Sequence, residues 1–239
     1  MLRPGLPVAG LGAHARLLLL TWVTVVVTAC AGQPAVDRSL LTDDPCAAPC
    51  WGGIVPGEST EADAHRALDG NPLVKRATIR TTLTEQNGVP LTIIGWQGRG
   101  PNAVVLRDGK VLRIEVGLDR GPTLGQMVER LGPPERVYAH VRCTEFWGYL
   151  VVFDYPARGL TLWSESYPVN LEDVVAAKGM GVLREDMRVT RATYYAPTTL
   201  RSALADVFLY DLEGVEGLIG DLREWQGFTQ VTLAPDRRW

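Results

Sequence analysis

The sequence predicts an α+β fold: two tandem repeats, each a helix plus an antiparallel meander, pack their helices on one face of a sheet, and a C-terminal strand-and-helix extension follows. Three observations predict it. A helix pattern capped by Thr and ended by Gly and Pro occurs twice. Each occurrence is followed by short runs of β-branched and aromatic residues separated by turn residues. No flexible linker separates the last third from what precedes it, so it reads as part of the same body.

The helices come first in each repeat. In residues 57–72, Thr60 and Asp63 stand at capping-box spacing, and in residues 121–134 Thr123 and Gln126 do the same. Ala64 with Leu68, and Met127 with Leu131, place apolar groups four apart on one face. Gly70 and Gly132 end the helices, and the prolines that follow prevent continuation. Strands are expected at 77–83, 91–96, 103–106 and 111–116 after the first helix, with Asp108-Gly109 as a tight hairpin turn. After the second they are expected at 136–143, 147–154 and 160–164, the last two joined by a turn at 156–159. In the last third, 171–178 reads as a helix, 187–195 as a strand, 198–212 and 214–227 as amphipathic helical segments, and 228–233 as a strand.

The N-terminus carries an export pattern. Residues 1–16 hold Arg3 and Arg16 and no acid, and residues 17–29 (LLLLTWVTVVVTA) form an apolar run ending in small residues. That run is shorter than the roughly 20 residues a bilayer-spanning helix needs. Val27-Thr28-Ala29-Cys30 resembles the lipobox of bacterial lipoproteins. The resemblance implies cleavage before Cys30, acyl chains on that cysteine, and a location on the extracytoplasmic face of the cell membrane, or of the outer membrane in a host with two. Each buried CH₂ contributes roughly 0.8 kcal/mol, so several chains together anchor a protein stably. The organisation expected is then a signal peptide at 1–29, a lipidated tether at 30–48, repeats at 49–120 and 121–166, and the extension at 167–239.

The paired motifs resemble the BamE/SmpA-like and beta-lactamase-inhibitor-protein-like group of exported α+β domains. The residues that carry the resemblance are Gly57, Thr60, Leu68, Gly70 and Pro72, then Gly121, Thr123, Leu131, Gly132 and Pro133, with Trp96, Trp147 and Phe153 as strand aromatics. It spans residues 49 to about 165, and the stretch PCWGGIVPG at 49–57 also resembles the start of a Chloroflexi-type lipoprotein group. The resemblance implies a binding or scaffold role rather than a reaction. No interface motif of either subgroup is recognisable, so neither subgroup's partner carries over.

Residue chemistry gives little support to catalysis. Cys143 and His140 are three apart, which on one strand points them to opposite faces. Cys46 and Cys50 are four apart, wider than the tight pairs of most zinc sites. No G-x-S-x-G, P-loop or dinucleotide fingerprint occurs, and carboxylates such as Glu145, Asp154 and Glu165 are scattered. No catalytic residue, metal or cofactor is therefore assigned. Outside the cytoplasm, Cys46, Cys50 and Cys143 can form one disulfide by three pairings. A bridge to Cys143 would restrain the unfolded chain most, and that energetic argument favours it.

Losing Arg3 and Arg16 from 24 basic residues against 27 acidic ones takes the formal charge from −3 to −5, which disfavours nucleic acid as a partner. The aromatics read first as core and cross-strand pairs; one face of their strand packs on the helices, and the other is either covered by the C-terminal third or exposed as a binding surface. Alternation puts Trp147, Tyr149, Phe153 and Tyr155 on one face of their strand, opposite an equally apolar face. The expectation is a non-catalytic, lipid-anchored module that binds another protein or an envelope component, with Trp147, Tyr149, Phe153 and Tyr155 as a candidate binding surface. The rival is an extracytoplasmic enzyme or small-ligand binder whose site is assembled from scattered residues.

Overall fold

A computed structural model describes residues 39–143, 147–166 and 180–234, and of Arg142, Cys143, Trp147 and Ser166 it describes the backbone alone. All of these lie in the unit spanning Val36–Trp239. The expected helix at 171–178 falls outside the described residues.

The chain enters through a helical turn, α1 (Ser39–Thr42), whose Leu40 is buried in the main core. The tether expected to run to residue 48 is therefore packed against the body from residue 39 onward. The first repeat follows with α2 (Glu61–Gly70), β1 (Arg80–Gln86), β2 (Val89–Gly95), β3 (Ala103–Arg107) and β4 (Lys110–Gly117). The second begins with α3 (Leu124–Leu131), β5 (Arg136–Cys143), β6 (Trp147–Tyr155) and β7 (Leu160–Ser166). Both helices start at the expected reciprocal caps, Thr60 with Asp63 and Thr123 with Gln126. Both two-residue turns of the first meander put an Asx-Gly pair in the left-handed region: Asn87 and Gly88 at φ 49° and 79°, Asp108 and Gly109 at φ 52° and 74°.

After β8 (Met180–Val182) comes β9 (Arg191–Tyr195), and its position decides the topology. Among the described residues the main sheet has eight strands, all antiparallel, in the order β1-β2-β3-β4-β9-β7-β6-β5. β9 is thus the fourth strand of the second meander, and it pairs with β4, the fourth strand of the first. The capped helix starts obey the same symmetry: Thr60 bridges to Lys110 at the start of β4, and Thr123 bridges to Arg188 just ahead of β9. β9 is shorter than the 187–195 stretch expected, because Val189 bonds to the Pro122 carbonyl and Thr190 takes part in bonds with Leu118 and Trp163. Gly159 lets β9 lie against the β6–β7 turn. It sits at φ +61°, and a Cβ there would stand 1.8 Å from the Tyr195 carbonyl oxygen.

Alternation then assigns the two faces. On one, Ile94, Val104, Ile114, Val116, Tyr194, Leu160, Leu162, Val151 and Phe153 are buried with Ala64 and Leu68 of α2 and Leu124 and Met127 of α3. The far face is covered as well. A helical turn at Leu200–Ser202 runs on into a π-helical turn, Ala203–Val207, and α4 (Leu212–Asp221) follows. Leu209 packs on Leu91 and Val105, Ala203 and Val207 on Tyr195, and Leu218 and Leu222 on Tyr138 and Val152. The chain then turns around the β5 edge. Arg223 exchanges both backbone bonds with Val137, β10 (Gln230–Thr232) pairs with β8, and the Ala234 amide bonds the Ala139 carbonyl. One edge of the sheet is thereby capped by the protein's own C-terminal segment.

Candidate functional site

Of the residues singled out in the sequence, Cys30 lies outside the described residues. The disulfide joins Cys46 to Cys50 and not either of them to Cys143. The Cys50 amide bonds the Ala47 carbonyl, folding the segment so that the two Cα atoms stand 5.6 Å apart, within reach of a bridge. Cys143 sits in β5, its backbone paired with Trp147. Pairing follows which sulfurs the local turn brings together, and the restraint each bridge would place on the unfolded chain has no part in that choice.

The aromatic face of β6 is not a surface. Phe153 is fully buried and Tyr155 nearly so. Phe153 meets Trp225 edge-on at 5.2 Å and Phe228 at 6.4 Å between ring centres. Tyr149 packs half-buried against the same core, and burial pushes its hydroxyl up to about 12. Trp147 is placed by its backbone pairing with Cys143 alone. The expected binding face is the one the helices and the C-terminal segment cover. Both faces of β6 are apolar, and the chain beyond residue 195 is long enough to wrap the far face and return to the near one.

The far face holds a feature the sequence did not disclose. Register sets Glu115, Thr193, Thr161, Asp154 and Arg136 in one row across β4, β9, β7, β6 and β5. Thr161 Oγ1 donates to Asp154 Oδ1 at 2.8 Å and lies 3.2 Å from the Tyr195 hydroxyl. Trp163 Nε1 donates to Thr193 Oγ1 at 3.1 Å, and the Arg191 guanidinium stacks 3.9 Å from the Trp163 ring centre. Arg113 donates to Glu115 at 2.8 Å and to the Val207 carbonyl at 2.7 Å. Asp154 is buried, and that burial raises its carboxyl to about 6, with Thr161 opposing and Glu135 adding to the rise. Burial also drives the Tyr195 hydroxyl well above the ordinary phenol range, with Asp154 adding to it. The arrangement can hold or release a proton near pH 6. The Thr161 hydroxyl is engaged by both the Asp154 carboxylate and the Tyr195 hydroxyl, and Tyr195 packs beneath Ala203 and Val207. Among the described residues no group of three or more His, Cys, Asp or Glu is placed to hold a metal ion.

The second feature is the opposite edge of the sheet. β1 is exposed at six consecutive positions, and Leu83 is 82 % exposed. Its sequence, RTTLTEQ, has no proline and carries charge only at Arg80 and Glu85, leaving residues 81–84 uncharged, and its pairing with β2 runs without a bulge. Natural edge strands usually carry such devices to discourage pairing with another chain. Propensity placed a strand at 77–83, whereas residues 76–78 form a helical turn and the strand runs from Arg80 to Gln86. That it lies at an open edge follows from the sheet order, which the sequence does not reveal.

No protein-family model matches this chain, and no curated protein matches it. Among solved structures it is similar to the uncharacterized protein YfeY from Escherichia coli, at 12 % identity and a TM-score of 0.33, over 61 % of this chain and 95 % of that one.

Proposed function

We propose that this protein is a non-catalytic module of the cell envelope, held to the membrane by lipid on Cys30, that binds another polypeptide by adding a strand to the β1 edge. The observation that carries the reading is the open edge of β1, uncharged over residues 81–84, in a sheet whose other edge is capped. Strand addition draws affinity from main-chain hydrogen bonds and selectivity from alternate side chains. The lipobox-like VTAC at 27–30 supports the anchor. The rival reading, a catalytic or small-ligand site, rests on the Asp154 row, whose neighbour Tyr195 packs beneath Ala203 and Val207.

Two measurements test this. In fractionated cells of its host, Cys30→Ala moves the chain from the membrane to the soluble extracytoplasmic fraction; retention in the membrane would remove the lipid anchor from the reading. Second, the tagged, lipidated chain is recovered in mild detergent after cross-linking. A polypeptide is recovered with it in near-equal amount, and Leu83→Pro or Leu83→Lys abolishes the recovery while leaving the unfolding midpoint within about 2–4 °C of the wild type, as for an exposed position. Undiminished recovery with both variants would move the contact away from β1.

A further inference from the structure

Resting on the reading that β1 accepts a strand, we infer that the strand is β1 of a second copy, antiparallel and centred on Leu83. The two-residue turn at Asn87-Gly88 closes β1 on β2 with Gln86 opposite Val89. Residues flanking such a turn exchange both backbone hydrogen bonds, and hydrogen-bonded pairs alternate along the ladder. Gln86, Thr84, Thr82 and Arg80 therefore direct their backbone groups inward to β2. Glu85, Leu83 and Thr81 direct theirs outward, to the open edge.

Those three outward residues are self-complementary. With Leu83 opposite Leu83 of a second copy, Thr81 falls opposite Glu85 and Glu85 opposite Thr81, so each outward residue meets an outward residue. A slip of one residue sets outward groups against inward ones. A slip of two pushes one end of the pairing onto Ile79 or onto the Asn87 turn, outside the strand. The side chains agree with the centred register. Leu83, exposed in one copy, covers its own equivalent, and Thr81, whose hydroxyl lies 3.2 Å from His65 Nε2 of its own copy, falls opposite Glu85 of the other. A parallel in-register pairing would oppose Arg80 to Arg80 and Glu85 to Glu85, whereas the antiparallel one sets Arg80 opposite Gln86.

The contact is isologous and closes after two copies, joining two eight-stranded sheets into one. A single strand pair buries less than the roughly 1,200 Å² of a stable interface. The pairing is therefore weak between dilute copies and strengthened where both are confined to one membrane surface.

The test places a photoreactive benzophenone side chain at position 85 of the full-length, lipidated chain, irradiated in its own membrane. The expected product has twice the mass of the chain, with the cross-link mapping to residues 81–83 of the second copy. Adding Leu83→Pro removes an outward amide and no β1–β2 bond, and reduces that product at least tenfold. A cross-link to a different polypeptide would overturn the second copy and leave strand addition at β1 standing. A double-mass product mapping elsewhere, or one that Leu83→Pro leaves unchanged, would overturn the register. No product at all would remove both the second copy and the β1 reading.

Discussion

Phe153→Ala lowers the unfolding free energy by about 3–5 kcal/mol, the range for truncating a fully buried phenylalanine. Phe153 is completely buried within the second meander, beneath the C-terminal segment, and touches Trp225 and Phe228. Truncation removes the transfer free energy of the ring and leaves a cavity. Val151, two residues back on β6, and Leu162, opposite on β7, are held by the sheet register and can collapse into that space only in part. A urea titration followed by tryptophan fluorescence reads the loss directly, since Trp225 is a direct neighbour. The size of the effect also separates two roles for this aromatic face. An exposed binding residue would change stability by about 0.5 kcal/mol or less and weaken association instead. A loss below about 1 kcal/mol would contradict the packing described here.

Asp154→Asn stabilises the protein at pH 7.5 and does so much less at pH 4. The Asp154 carboxyl is raised from 3.8 to about 6 by burial. Between those values the folded chain holds a proton that the unfolded chain has released, so stability falls as pH rises across that window. The contribution is fully present below about 4 and lost as pH rises through about 6. A displacement of that size corresponds to about 3 kcal/mol, an upper figure for what the neutral amide restores at pH 7.5. Asparagine keeps the shape and an oxygen to accept from Thr161 Oγ1, and its amide group stands where the protonated acid carries its hydrogen. Asp63 acts with the opposite sign. Its carboxylate accepts from the Thr60 hydroxyl and amide and is held down to about 2, so its contribution is present above the ordinary carboxylate range and lost as pH falls toward 2. Unfolding midpoints of wild type and variant from pH 4 to 8 check the sign. Parallel curves would mean that Asp154 does not change its charge state in that window in the folded chain.

Local chemistry in the sequence determined the fold class, the two capped helices and nearly every strand of the meanders. Thr60, Thr123 and Asp108-Gly109 act on their immediate neighbours, so their effects are readable without knowing the rest of the chain. The lipid anchor proposed on Cys30 rests on the linear segment VTAC at 27–30 alone. What the sequence could not decide depends on distant residues meeting. Alternation divided β6 into two apolar faces, and only the path of residues 203–234 settled that both are covered. Composition offered three disulfide pairings, and the turn ending at Cys50 chose the shortest. Asp154, Thr161 and Tyr195 are separated by up to 41 positions and become one hydrogen-bonded chain only because β9 enters the sheet between β4 and β7. β1 reads as any half-polar strand until the sheet order leaves it at the edge. Hydrogen-bonding capacity is written into every residue, but which capacity remains unspent is decided by the tertiary structure, because that alone fixes which strands find a neighbour.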